Sequence, residues 1–195
     1  LMVLSLATGM SFTAAAADHD IVVLYTNDVH CGVDDNIGYA GLALYKKQML
    51  EQTPYVVLVD AGDAIQGAPI GTLSDGGYLI DIMNKVGYDF AIPGNHEFDY
   101  RSKGLANMLN SAAESGDNLP ALVVCNVDWD SMEQAGLSDG QQQIQSAFET
   151  YGVKDYVVLQ KGNVKIAVVG VFGTDALKCA PTCELIFKDP VEAVK

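Results

Sequence analysis

Short apolar runs and longer amphipathic stretches alternate along this chain. Residues 21–25, 55–59 and 90–92 are continuous apolar runs rich in Val, Ile, Tyr and Phe, the pattern of strands buried on both faces of a parallel sheet. Residues 121–125 form a fourth such run, in a strand predicted over 121–126. Between them the spacing predicts helices: 39–51, with Leu42, Tyr45 and Met49 on one face, 78–86, stopped by Gly87, and about 102–115. Strand–helix alternation of this kind predicts an α/β fold with a mixed, mostly parallel sheet and crossover helices. Residues 62–71 read as a Gly- and Pro-bearing loop, and residues 129–145, polar and Gly-containing, as a surface excursion. Near the end, 156–161 and 164–172 flank Gly162-Asn163, a hairpin whose turn tolerates positive φ.

The termini change the picture. Residues 1–12 are an apolar segment too short to span a bilayer, and 13–17 supply small residues at a cleavage site, so 1–17 reads as a secretory signal peptide. It lacks a basic start and begins at Leu1, which predicts a few missing residues. At the other end Asp189-Pro190 is a helix start with too little chain after it for a full helix. The expectation is an exported fragment: periplasmic, cell-wall-associated or secreted, with no stable membrane span after the signal. Export makes disulfides permissible. Cys179 and Cys183, flanking Ala-Pro-Thr, are the candidate pair. A CxxxC zinc half-site is the rival, but no second pair completes it. Cys125 reads as a buried thiol, and Cys31 directly follows His30.

Net charge is −14, from 25 acidic against 11 basic residues. That balance argues against binding a nucleic acid polymer, which needs clustered Lys and Arg. Metal neutralising part of the carboxylate excess fits it.

Three polar clusters each follow an apolar run: Asp28-Val29-His30, Gly62-Asp63, and Gly94-Asn95-His96-Glu97-Phe98-Asp99. The carboxyl ends of parallel strands are where open α/β sheets place their sites. Asp28 and His30, two apart at a strand end, are expected to point the same way and offer one carboxylate oxygen and one imidazole nitrogen. Gly62 lets the chain turn and aims Asp63 inward; a carboxylate there can bridge two cations. Asp60 reads as a supporting hydrogen-bond acceptor. Asn95 offers an amide oxygen. His96 is expected to face substrate rather than metal, with Asp99 holding its other nitrogen, which raises the imidazole pKa and fixes its tautomer.

The order DxH…GD…GNHE resembles the calcineurin-like metallophosphoesterase superfamily. The strings Tyr25-Thr26-Asn27-Asp28-Val29-His30 and Gly94-Asn95-His96-Glu97-Phe98-Asp99 resemble its secreted 5′-nucleotidase branch. The resemblance implies a fold and a site. The fold is the first half of an αββα sandwich, so 18–195 is the N-terminal part of the domain. Two divalent ions (Zn, Mn or Fe) are bound by Asp28 and His30 on one side and Asn95 on the other, with Asp63 bridging. His96 and Asp99 form the catalytic dyad, and Asn95 and His96 contact substrate phosphate. Relatives complete the site with later histidines and a C-terminal nucleotide-binding domain. This chain has only His19, His30 and His96, so the resemblance implies a whole protein that hydrolyses nucleotide phosphomonoesters and a piece with negligible turnover of its own. The alternatives are a 2′,3′-cyclic phosphodiesterase, a UDP-sugar hydrolase or a thiosulfate-ester hydrolase of the same superfamily, or a secreted ligand-binding module without catalysis.

Overall fold

The computed structural model describes residues 20–195; the expected signal peptide lies outside them. Four parallel strands, β1 (Val22–Thr26), β2 (Val56–Asp60), β3 (Phe90–Ala91) and β4 (Ala121–Leu122), form one sheet in the order β1-β2-β3-β4. The crossovers carry α1 (Gly38–Leu50), the short α2 (Pro69–Thr72), α3 (Gly77–Val86) and α4 (Arg101–Glu114), the last preceded by a 3-10 turn, His96–Tyr100. Strands added in sequence order by right-handed crossovers place their helices on one face of the sheet.

Strand alternation separates the two faces. Leu58, Ala91, Leu122 and Val124 point into the main core with Leu42, Leu79, Met83, Leu105 and Leu109 from the helices. Val57, Phe90 and Val123 point the other way, against Val157, Leu159, Ile166 and Val168. These last four come from an antiparallel hairpin, β5 (Tyr156–Lys161) and β6 (Val164–Val169), in a separate two-stranded sheet. Gly162 takes the positive φ of its turn. The Tyr55 hydroxyl donates to Asn163 Oδ1 at 2.6 Å, and Lys161 pairs with Asp89 at 3.1 Å, fixing the hairpin onto the sheet. The architecture is α/β, with a parallel main sheet and an antiparallel pair, as the strand–helix alternation predicted. Among the described residues no helix is long and apolar enough to cross a membrane.

Three expectations change. Residues 129–145 are not an irregular excursion: they contain α5 (Trp129–Ala135) and the start of α6 (Asp139–Tyr151). Ser138 and Gln141 close a capping box at the α6 N-terminus, and Ile144, Ala147 and Phe148 are buried. The fourth strand stops at Leu122 because the backbone then leaves the sheet: Val124 N donates to Lys154 O and Cys125 N to Gly170 O. Cys179 and Cys183 stand as free thiols. Cys179 faces solvent at the end of α7 (Thr174–Lys178), whereas Cys183 packs against the core, where burial pushes its thiol up to about 11. The helix expected at Asp189-Pro190 is present as α8 (Pro190–Ala193), with the Asp189 carboxylate capping Val191 and Glu192.

Candidate metal centre

The loops that leave β1, β2 and β3 at their carboxyl ends are tied to one another by backbone bonds. Asp28 N donates to Gly62 O, His30 N to Asp63 O and Cys31 N to Ala64 O. The second and third loops meet where Gly62 and Gly94 touch. A Cβ on Gly62, whose φ is +104°, would lie 2.5 Å from Gly94 N and 2.6 Å from its Cα. Neither L geometry nor space admits a side chain there. Gly62→Ala is therefore expected to cost about 2–4 kcal/mol in a denaturant melt and to weaken divalent-metal binding with it.

A buried carboxylate bolts this junction. Glu97, 6% exposed, accepts from four backbone N–H groups: Asp63 at 2.8 Å, Ala64 at 2.9 Å, Ile65 at 3.2 Å and Gly94 at 2.6 Å. Burial pushes its carboxyl up, and the bonds from Asp63, Ile65 and Gly94 oppose that. Asp60 does similar work one strand-end lower, accepting from Thr26 Oγ1 at 2.5 Å and Gly62 N at 2.9 Å. Burial pushes Asp60 up to about 7, against those hydrogen bonds. Asp60 is thus the supporting acceptor the sequence suggested. Glu97 is a part that side-chain chemistry alone did not single out; its signal was a carboxylate inside the Gly94–Asp99 turn.

His30, Asp63 and His96 each bring one potential ligand atom to a point, all within 4.8 Å of one another. The two imidazole rings meet edge-on, centroids 4.9 Å apart. His30 Nδ1 lies 3.1 Å from Gln66 O. A proton on Nδ1 leaves Nε2 as the lone-pair donor, and Asp28 Oδ1 is 3.9 Å from that Nε2. Asp63 Oδ1 accepts from the His96 backbone N–H at 2.7 Å. Asn95 sits between Gly94 and His96 on the same turn, and its side chain makes no hydrogen bond among the described residues. Asp28 and His30 do come together, though not by strand alternation. Both adopt positive φ, 52° and 47°, after β1 has ended. Asp63, at 58°, does the same. Non-glycine residues in this region are strained and cluster at functional sites. Cys31, by contrast, is buried against Gly71 rather than turned to the cluster.

His96 Nδ1 lies 2.8 Å from Asp99 Oδ2. The hydrogen bond that the His96 ring N–H donates to Asp99 raises the His96 pKa above its ordinary value, burial opposing and the charge of Asp63 assisting. A raised histidine pKa stabilises the fold fully below the ordinary histidine value, and that contribution is lost as pH rises through the folded value. Asp99→Asn is expected to move the His96 titration to lower pH in ring-proton NMR; an unmoved curve would show that the pair is idle. The sequence expected His96 to face substrate; its ring lies beside His30 and Asp63, the candidate metal cluster. Two imidazoles and the Asp63 carboxylate, with Asp28 beside His30, suit a borderline divalent ion such as Zn²⁺, Mn²⁺ or Fe²⁺.

Comparison with known proteins gives the same answer. The family model for calcineurin-like phosphoesterases matches residues 21–176. A 5′-nucleotidase of Diplobatis ommata is 31% identical over 193 residues, covering 92% of this chain and 30% of that protein. Bovine 5′-nucleotidase is 35% identical over 118 residues, 53% of this chain and 21% of that one. The chain thus spans under a third of the length of these relatives. Among solved structures, a 5′-nucleotidase precursor from Thermus thermophilus superposes with a TM-score of 0.67 at 22% identity, over 88% of this chain and 32% of that chain. The YfkN phosphoesterase of Bacillus subtilis gives 0.62 at 23% identity, over 88% and 55%. Such identities speak for the fold; the family match covers most of the sequence. The chain belongs to the calcineurin-like phosphoesterases, metal-dependent hydrolases of phosphoester bonds.

Proposed function

We propose that this chain contributes the metal and proton-donor half of a 5′-nucleotidase-type site acting on nucleotide phosphomonoesters. The observation that carries the reading is the meeting of His30, Asp63 and His96 within 4.8 Å, with Asp28 beside His30 and Asp99 behind His96. The 5′-nucleotidase relatives support the substrate class. Asp28 and His30 would hold one ion and Asn95 a second, with Asp63 shared between them. Bound divalent ions supply Lewis acidity, which screens phosphate charge and acidifies water. The chain's own residues do the rest. Asn95 and His96 lie on one turn and would contact the phosphate oxygens. His96, its Nδ1–H held by Asp99, would as the imidazolium carry a second proton on Nε2 and release it to the departing ester oxygen.

The proposal extends to organisation. Residues 1–17 act as an export signal, and 18–195 form the first part of the phosphoesterase domain. The remaining metal ligands and the nucleoside pocket come from sequence beyond these residues, in line with relatives about three times as long as this chain. Phosphate release from AMP, measured beside a 2′,3′-cyclic nucleotide, a UDP-sugar and a thiosulfate ester, tests the substrate class in the protein that carries this chain. Hydrolysis of AMP that is lost with a chelator and with His96→Ala supports it. Preference for another ester, or turnover untouched by chelation, would contradict it. The 195-residue chain by itself is expected to show negligible turnover.

A further inference from the structure

We infer that Thr182 is a positioning residue for the His96–Asp99 pair: its hydroxyl holds the Phe98 carbonyl and so keeps Asp99 in register with the His96 ring. The inference rests on the proposed reading of that pair as the proton donor. It adds the segment, 84 residues beyond Phe98, that holds the pair in place.

His96 and Asp99 are the first and fourth residues of the 3-10 turn His96–Tyr100. Side chains three apart in such a turn eclipse one another, which brings His96 Nδ1 to 2.8 Å from Asp99 Oδ2. Packing does not hold these two side chains, which are 39% and 33% exposed, so the backbone of the turn has to. That backbone ends in a kink. Arg101 stands at φ +56° between the turn and the body of α4, and its N–H donates to Phe98 O. A non-glycine residue in this region persists only where its surroundings hold it.

Those surroundings include one short strap, residues 180–185. Ala180 and Leu185 are buried at its two ends. Cys183 N donates to Ala180 O at 3.0 Å, closing a turn with Pro181 in its second position, where a fixed φ suits it. Thr182, third in that turn, donates from Oγ1 to Phe98 O at 2.7 Å. Two residues on, the Glu184 carboxylate accepts from the hydroxyl of Ser102, a buried residue in the first turn of α4, and from Ser138 Oγ at 3.0 Å. The strap therefore grips the chain on both sides of Arg101, at Phe98 and at Ser102. The Phe98 ring is buried edge-on against Phe172, with centroids 5.5 Å apart. Removing the Thr182 hydroxyl takes away the donor that reaches the Phe98 carbonyl from outside the turn. Rotation of the Phe98–Asp99 peptide then carries the Asp99 carboxylate away from the imidazole.

Ring ¹⁵N NMR of the metal-free 195-residue chain at about pH 9, above the ordinary histidine range, reads the pair directly. An imidazole held by Asp99 keeps its proton on Nδ1. Thr182→Val keeps the shape of the side chain and removes the hydroxyl. It is expected to move His96 from the Nδ1–H towards the Nε2–H tautomer, in the direction of Asp99→Ala, while the melting temperature falls by no more than a few degrees. Thr182→Ser, which returns the hydroxyl, should restore the wild-type ratio. In the protein that carries this chain, Thr182→Val should lower kcat for AMP on the order of 10-fold, with KM within about 2-fold. That loss lies inside the roughly 100- to 10,000-fold that a positioned acid supplies. On an Asp99→Ala background the same change should cost under about 2-fold, because no pair is left to position. A Thr182→Val chain with the wild-type tautomer ratio would overturn the inference, as would a kcat loss equally large without Asp99. A protein inactive on AMP would instead overturn the proposed substrate class, and the ring signals would still decide whether Thr182 positions the pair.

Discussion

Replacing Glu97 with alanine should destabilise the protein by about 3–5 kcal/mol, because four buried backbone N–H groups lose their acceptor together. The four donors belong to Asp63, Ala64, Ile65 and Gly94, so the loss falls on the junction between the second and third metal loops. Glu97→Gln separates shape from chemistry. It keeps an acceptor oxygen for one pair of donors and turns an NH₂ towards the other pair, which predicts roughly half the loss, about 2 kcal/mol. Urea denaturation reads both values. A Glu97→Ala midpoint within about 1 kcal/mol of wild type would show that water or a shifted loop replaces the carboxylate, and that Glu97 is not what joins the loops.

Asp63→Asn should do the opposite: preserve the fold and remove metal binding. The asparagine side chain has the same shape and keeps an oxygen to accept the His96 backbone N–H that Asp63 Oδ1 receives at 2.7 Å. The backbone bond from His30 N to Asp63 O, 2.8 Å, is untouched. Only the charge leaves, and with it the anionic oxygen that Asp63 offers to the candidate metal cluster. Divalent-ion affinity is expected to fall by on the order of 100-fold or more, beyond what an outer partner is worth, while the melting temperature stays within a few degrees. Calorimetric titration with Mn²⁺ or Zn²⁺ gives the first number and a thermal melt the second. Unchanged affinity would place the ion elsewhere.

These two residues show what the sequence made legible. Asp63 is of a type that binds metal, follows a glycine and sits at the end of an apolar run, so composition and position mark it as a candidate. Glu97 acts on backbone N–H groups from three consecutive residues of another loop, and a sequence carries no mark of which amides lie unsatisfied. Strands β2 and β3 were legible because their apolar runs are buried on both faces; β1, also apolar throughout, lies at the sheet edge with Val23 and Tyr25 exposed. Helix α6 was not, since Gly140 and the run of three glutamines before Ile144 diluted its period. The decisive signals there were the Ser138–Gln141 capping box and the buried stripe Ile144, Ala147 and Phe148.

The meeting of His30 with His96 was hidden for a different reason. It depends on left-handed backbone at Asp28, His30 and Asp63, residues whose types do not demand it. Alternation along an extended chain brings Asp28 and His30 to one side by a route the protein does not use. Tertiary bonds between the loops hold the strained conformations, so they appear only once the strands have been assembled. Spacing alone likewise did not reveal that Cys183 packs against the core while Cys179 remains at the surface.

Anomalous diffraction at the zinc or manganese edge, on crystals of this chain grown with that ion, addresses the centre most directly. The account predicts a peak about 2.0–2.2 Å from a ring nitrogen of His30 and from a carboxylate oxygen of Asp63. Peaks only at other surface carboxylates, or none at saturating metal, would contradict it.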